Sequence, residues 1–362
     1  MQKATSRSNS YKHTLNNIFK KGFYFIVVTA VSIFLLVFAL EIGLRIFLKD
    51  GPPLTWDPIL TSSDIQELGY RLAPNFHKKD IQTNAEGLLW RQDDNESPKR
   101  QVLILGDSIS FGGDVSREEN FSAVLEHKLR ESSGEPIAVW NSGTPGYNTT
   151  QEAALLREIG PRLKPDLVVV QLCLNDYEPT LFVNARNVLE RRVTVGSDHK
   201  EPGFLSGLFM PNKAILFLKG KLQGLQKTYP EWFPVWAHYI HYVGRKPGWK
   251  EVKESLLSIR DWVKHRNSAL LLVLFPVEQQ LRIKDAALQR DIANFAKLEG
   301  IHYLDLYASF EQRWRDGLFI DYSTMYHTAD KVHLSPTGHA LAAEEIASAI
   351  LSNSHYYLNL PQ

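Results

Sequence analysis

Ser108 stands in Gln101-Val-Leu-Ile-Leu-Gly-Asp-Ser108-Ile-Ser-Phe-Gly112, where a short apolar run stops at Gly-Asp-Ser and a helix-like pattern begins. In an open α/β fold, such a junction delivers a hydroxyl to the carboxyl edge of a sheet, where ligands bind. A serine there can act as a nucleophile only if a base and an oxyanion site come from elsewhere in the chain. His333 is the first candidate base, in Asp330-Lys-Val-His333-Leu-Ser-Pro-Thr-Gly-His-Ala. Asp330 lies three residues earlier, so one turn can bring its carboxylate to the imidazole Nδ1. That would set the tautomer and leave Nε2 free to take the serine proton. Taken alone, Asp-x-x-His fits an incidental surface loop just as well.

An oxyanion site needs donors aimed at developing negative charge. Asn141-Ser-Gly-Thr-Pro-Gly146-Tyr-Asn offers bare glycine N–H groups, and Asn175-Asp176 offers a side-chain amide. An ordinary Gly/Pro turn and a helix-capping Asn are the plain alternatives. The chain has 12 histidines, so other bases deserve weighing. His302 sits in an apolar run and reads as a core or strand-edge residue. His327 and His339 lack an acid three residues before them, and His238 and His241 belong to an aromatic stretch. No His-Glu-x-x-His spacing exists, so neither a metal nor any other cofactor is expected. Cys173 is the single cysteine, which excludes an internal disulfide and a Cys-x-x-Cys site. It reads as a small buried hydrophobe; a nucleophilic role would require a dedicated base.

The elements that must position these groups follow from hydrophobic period. Val102–Leu105, Ile137–Trp140, Asp166–Leu172, Ala269–Phe275 and Ile301–Leu304 read as five strands. Helices are predicted over Phe121–Arg130, near 150–159 and over Thr337–Leu351. Strands alternating with helices argue a parallel sheet covered on both faces. Three successive strand ends then carry Ser, Gly and Asn, and the closing helix is preceded by Asp-x-x-His. Between about 178 and 255 the alternation breaks for longer than a normal connection. That segment carries Phe204, Phe209, Phe217, Trp232, Trp236 and Trp249, interleaved with lysines. It reads either as a small helical insertion or as a lid or bilayer-touching surface.

In this order the blocks resemble the SGNH (GDSL-type) hydrolase superfamily over about 100–352. Gly106-Asp107-Ser108 with Gly112 is similar to its first block, Asn141-x-Gly143-x-x-Gly146 to its second, Asn175-Asp176 to its third and Asp330-x-x-His333 to its fifth. One departure is Cys173, where the third block usually has glycine. The lead-in Gly69-Tyr-Arg-Leu-Ala-Pro74-Asn with Asn84-Ala-Glu-Gly87 resembles membrane-anchored bacterial members associated with surface polysaccharides. The resemblance implies a flavodoxin-like three-layer α/β/α sandwich with a parallel sheet of about five strands. It implies Ser108 as nucleophile, His333 as base and then acid, and Asp330 orienting it. The oxyanion would meet the N–H groups of Ser108 and Gly146 and the side chain of Asn175. Asp107 would fix the turn behind the serine.

Composition bounds the partners. With 41 basic and 40 acidic residues, nothing points to nucleic acid. Gly22 to Leu40 is uncharged and almost wholly apolar, and the run continues to Leu48 with Glu41 and Arg45 spaced for pairing. Residues 22–48 therefore read as one uncleaved transmembrane helix, preceded by a tail at 1–21 and followed by a lead-in at 49–100 and a hydrolase-like domain at 101–355. Lys3, Arg7, Lys12, Lys20 and Lys21 precede the span and no acid does. The positive-inside rule places the N-terminus in the cytoplasm and the domain in the periplasm or outside the cell.

The expected function is a serine esterase working through an acyl-enzyme on O-acylated, chiefly O-acetylated, cell-envelope glycans, by hydrolysis or by transfer. The alternatives are a lipase or lysophospholipase taking lipid esters at the membrane surface, and an idle polysaccharide-binding scaffold.

Overall fold

The computed structural model describes residues 24–25, 27–29, 31–33, 35–36, 59–78, 81–89, 91, 97–176, 180–183, 189–191, 248–284, 286–315, 322–326 and 332–359. At the described positions between 24 and 36 the chain is helical and its apolar side chains are exposed. Among the described residues no helix is long and apolar enough to cross a membrane. Most of the span expected at 22–48 lies outside them.

The lead-in folds into two small hairpins where the sequence suggests only an extended stretch. β1 (Leu60–Ser62) pairs antiparallel with β2 (Tyr70–Leu72), and β3 (His77–Lys78) with β4 (Ile81–Gln82). Turn chemistry accounts for this. The Asn84 side chain accepts from the N–H groups of Glu86 and Leu88 at 2.9 and 3.0 Å, a local Asx arrangement that reverses the chain.

The five predicted strands appear as β5 (Arg100–Leu105), β6 (Ile137–Asn141), β7 (Leu167–Leu172), β10 (Ala269–Leu274) and β11 (His302–Asp305). A small antiparallel hairpin, β8 (Leu181–Val183) with β9 (Leu189–Arg191), lies between the third and fourth of them. The order across the sheet is β11-β10-β7-β5-β6, and every pairing is parallel. Helices cover both faces, so every residue of β7 and β10 is buried, and both strands read as near-continuous apolar runs.

After the one-turn helix α1 (Ser108–Phe111) come α2 (Phe121–Ser133), α3 (Thr149–Leu163), α4 (Gly248–His265), α5 (Glu278–Ile283), α6 (Ala287–Glu299), α7 (Leu306–Arg315), α8 (Pro336–Ser352) and α9 (Ser354–Leu358). One core layer packs Phe121 and Leu125 of α2 and Ala342 and Ile346 of α8 against β5 and β7. The other packs Leu156 of α3, Leu256 of α4 and Ile292 of α6 against the opposite face. Each Leu, Ile or Phe among them contributes about 1.5–3 kcal/mol relative to exposure.

Strand β5, second from one edge of the sheet, has β6 on one side and β7 on the other, so the chain winds outward from it first one way and then the other. That is the topological switch point of a doubly wound sheet, where a crevice opens at the strand ends. Ser108 follows β5 directly. Of the insertion predicted at about 178–255, the described parts are the β8–β9 hairpin, which is strand, and the start of α4. Trp249 there is buried in the core. The rest of that prediction lies outside the described residues.

Candidate active site

The serine turn is built from buried polar side chains. Asp107 caps α1, its Oδ1 accepting the Ile109 N–H at 2.8 Å. Gln171 interrupts the apolar run of β7 and is fully buried. Its Oε1 accepts the Asp107 N–H at 3.1 Å and the Ser110 hydroxyl at 2.9 Å. At the other end of α1, the Ser110 carbonyl accepts Asn141 Nδ2 at 2.7 Å and Asn120 Nδ2 at 3.1 Å. A four-residue helix has little stability of its own. Strands β6 and β7 and the cap of α2 hold this one. Gln171 and Asn120 escaped the sequence reading, although a lone glutamine inside Leu167–Leu172 was a visible signal.

His333 Nε2 lies 2.8 Å from Ser108 Oγ across a sequence separation of 225 residues. The histidine loop is held on both sides. Ser335 caps α8 by accepting the Gly338 N–H at 3.2 Å, and Pro336 occupies the first turn. The Ser335 N–H donates to the Met325 carbonyl at 3.0 Å, and the Tyr326 hydroxyl donates to the Pro276 carbonyl beyond β10 at 2.7 Å. Asp330 lies outside the described residues. The described carboxylate at the imidazole is Asp114, which the sequence reading did not name. Its Oδ2 stands 3.9 Å from His333 Nδ1, with the two side chains 46% and 30% exposed. His339, one turn into α8, is buried and stacks on Phe121. Its Nδ1 accepts the Phe121 N–H at 3.2 Å. Burial first, and the neighbouring His333 second, push its pKa down to about 4, so it is neutral where His333 would work.

The loop after β6 is fastened to the serine turn. Thr144 N–H donates to the Gly106 carbonyl at 3.0 Å, and Gly143 N–H to Asn141 Oδ1 at 2.8 Å. A β-carbon on Gly143 would run into the backbone of Ser110 and Phe111, so only glycine lets the loop approach this closely. Thr144-Pro145-Gly146-Tyr147 closes with Tyr147 N–H on the Thr144 carbonyl at 3.0 Å, and Gly146 has φ 80°. Proline second, glycine third and that positive φ define a type II turn.

Asn175 follows β7 at the same edge. Its Nδ2 donates to Asp107 Oδ2 at 2.7 Å, and its Oδ1 accepts the Cys173 thiol. These two contacts set the amide orientation. One of its two N–H groups serves Asp107 and the second remains for a ligand. Cys173 is buried, and burial followed by the charges of Asp107 and Asp176 pushes its thiol well above the ordinary range. It is therefore a thiol, and a donor, with no nucleophilic anion to offer. Behind it, Asp176 accepts Thr149 Oγ1 and the Cys173 N–H, both at 2.7 Å. Burial, then Asp107, pushes Asp176 up to about 8. Glu152, also buried, is raised well above its usual range by burial and then by Asp176 and Asp107.

A family model described as the GDSL-like lipase/acylhydrolase family matches residues 104–341. The chain belongs to that family. The match runs from the end of β5, just before Ser108, into the start of α8, just after His333. Among curated proteins, this GDSL-like chain is similar to an arylesterase of Vibrio mimicus, 33% identical over 76 residues. That stretch is 21% of this chain and 38% of the relative, so the chain spans well under half of that protein's length. Among solved structures it is similar to a lipase/acylhydrolase from Enterococcus faecalis, at 16% identity and TM-score 0.42, covering 73% of this chain and 99% of that one. A catalytic mutant of an acetylxylan esterase from Geobacillus stearothermophilus gives 17% identity and TM-score 0.42, covering 70% and 95%.

Chemically, the arrangement offers a hydroxyl in contact with an imidazole at a sheet edge, with a glycine turn and an amide at the neighbouring strand ends. Among the described residues, no group of three or more His, Cys, Asp or Glu side chains is arranged to hold a metal ion.

Proposed function

We propose that the protein is a serine esterase that forms an acyl-enzyme on Ser108. The observation that carries the reading is the 2.8 Å contact between His333 Nε2 and Ser108 Oγ at the switch point of the sheet. His333 takes the serine proton as Oγ attacks the ester carbonyl. The tetrahedral oxyanion is held by the N–H groups of Ser108 and Gly146 and the free N–H of Asn175, each donor lowering the barrier by about 3 kcal/mol. His333 then protonates the leaving alcohol, and the acyl group passes from Ser108 to the acceptor. With water as acceptor the reaction is hydrolysis, and with a sugar hydroxyl it is transfer. Asp330, three residues before the base, has the role of orienting it.

The substrate class we favour is an O-acetylated cell-envelope glycan, reached from a single-pass anchor at 22–48 with the domain outside the cytoplasm. Support for the anchor is the apolar, uncharged run and the lysines and arginine before it. Ester chemistry agrees with the name of the Vibrio mimicus relative, an arylesterase.

The test compares the full chain with Ser108→Ala on nitrophenyl acetate and longer acyl esters. We expect turnover to fall at least about 10³-fold, since removing a nucleophile leaves only residual catalysis. Equal rates would overturn the esterase reading and leave the scaffold alternative. Preference for long acyl chains would replace the acetyl reading with lipid ester hydrolysis.

A further inference from the structure

We propose that Tyr70, in the lead-in, is a positioning residue for the Gly146 oxyanion donor, locking the Pro145–Gly146 peptide in the orientation that points its N–H away from the core. The inference rests on the preceding reading of Gly146 as an oxyanion donor.

The argument starts from the peptide unit. The carbonyl of Pro145 and the N–H of Gly146 belong to one trans peptide, so they point in opposite directions. The fully buried Tyr70 hydroxyl donates to that carbonyl at 2.7 Å, across 75 residues of sequence. Holding the carbonyl on one side therefore aims the N–H to the other. It also polarises the amide, because hydrogen bonds through one peptide strengthen each other.

Something must hold this peptide. Pro-Gly at the centre of a turn is compatible with type I as well as type II, since glycine accepts both values of φ. The two turns differ mainly by a flip of the central peptide. That flip exchanges carbonyl and N–H, and would turn the donor into an acceptor facing a negative charge. The Tyr70 hydrogen bond is lost on flipping, which leaves the O–H of a buried phenol without its acceptor, at a cost.

Tyr70 is itself rigid. Its ring meets Tyr147 edge-on at 5.2 Å, and the Tyr147 hydroxyl returns a hydrogen bond to the Tyr70 carbonyl. Gln151 Nε2 donates to the Leu68 carbonyl at 2.7 Å, and Arg71 Nη1 to Glu158 at 2.7 Å. The lead-in is thus fastened to the loop after β6 and to α3 on both sides of Tyr70. Burial raises the Tyr70 phenol well above its ordinary pKa, so it stays protonated and able to donate throughout any assay range.

The test uses the full chain with Tyr70→Phe, on an acetyl oxoester and the matching thionoester. Sulfur accepts hydrogen bonds poorly, so thionoester turnover draws less on an oxyanion donor. We expect oxoester kcat to fall about 10-fold with KM within 2-fold, and the oxoester-to-thionoester ratio to fall with it. Arg71→Gln loosens the same segment but keeps the hydroxyl, and should leave that ratio unchanged. An unchanged ratio in Tyr70→Phe, or the same fall in both variants, would overturn the positioning role. If Tyr70→Phe does not fold, 3-fluorotyrosine at position 70 carries the test. Its more acidic phenol donates more strongly, so the ratio should rise, and an unchanged ratio overturns the proposal. Ser108→Ala in the same assay separates the two readings. If it abolishes turnover while Tyr70→Phe behaves as wild type, only the positioning inference fails. If it retains turnover, the esterase reading fails.

Discussion

Two groups of carboxylates flank the serine turn, and their surroundings differ sharply. On the rim, Asp114 stands 46% exposed near a partly exposed His333. On the floor, Asp107, Asp176 and Glu152 are buried together with Cys173. Water screens the rim, so a charge 3.9 Å from the imidazole there is worth about 1 kcal/mol. The floor is dry. Burial and mutual repulsion push Asp176 and Glu152 towards their neutral forms, and hydrogen bonds from backbone, thiol and amide groups hold Asp107 in place. The same residue types thus serve two purposes. The floor builds a rigid platform beneath Ser108 and Asn175, and the rim sets a carboxylate beside His333.

The largest effect expected from this contrast is at Asp107. Asp107→Ala removes the cap of α1 and the partner of Asn175 at once. Stability should fall by about 1–3 kcal/mol, partly offset by relieved repulsion on Asp176. Urea unfolding reads the stability and ester turnover the activity, which should fall with it. A variant with wild-type stability and turnover would break the idea of a structural floor.

Next in size is Glu152→Gln, read as a dependence on pH. The folded pKa of Glu152 is raised above the usual 4.5. Its favourable contribution is therefore complete below about 4.5 and is lost as pH rises towards the folded value. Gln does not titrate. Measured by urea unfolding, the stability of the variant relative to wild type should improve by about 1 kcal/mol or more from pH 4 to pH 8. A difference that stays constant with pH would put the charge on Glu152 in the folded protein.

The smallest effect belongs to the rim. Asp114→Asn should lower kcat/KM a few-fold at low ionic strength, with the gap closing near 1 M salt as screening removes the contribution. A loss of 100-fold, or one indifferent to salt, would make Asp114 the main orienting acid of His333.

Much of the site was legible in the chain itself. Strand ends and spacing make Ser108, Gly146, Asn175 and His333 candidates, and the family resemblance implies their roles. The structure brings Ser108 and His333 into contact, and the five strands fall within a residue or two of their expected bounds. Those signals are local, because a fully covered parallel strand must be apolar along its length and its end must break into Gly, Asp or Asn. Gln171, Asn120, Tyr70 and Asp114 were missed for the opposite reason. Apart from Gln171, a lone polar residue in an apolar strand, nothing beside them in sequence marks them. Each matters through a partner between 10 and 219 residues away.

What the sequence determined by itself was therefore the strand pattern, the family and the candidate nucleophile and base, each written in short motifs. Tertiary structure alone decided that 225 residues close to 2.8 Å between His333 and Ser108. It also decided which way the Pro145–Gly146 peptide faces and which carboxylates are wet or dry. Hydrogen-bond direction and dielectric environment belong to the packed chain, since both depend on neighbours that only folding brings together.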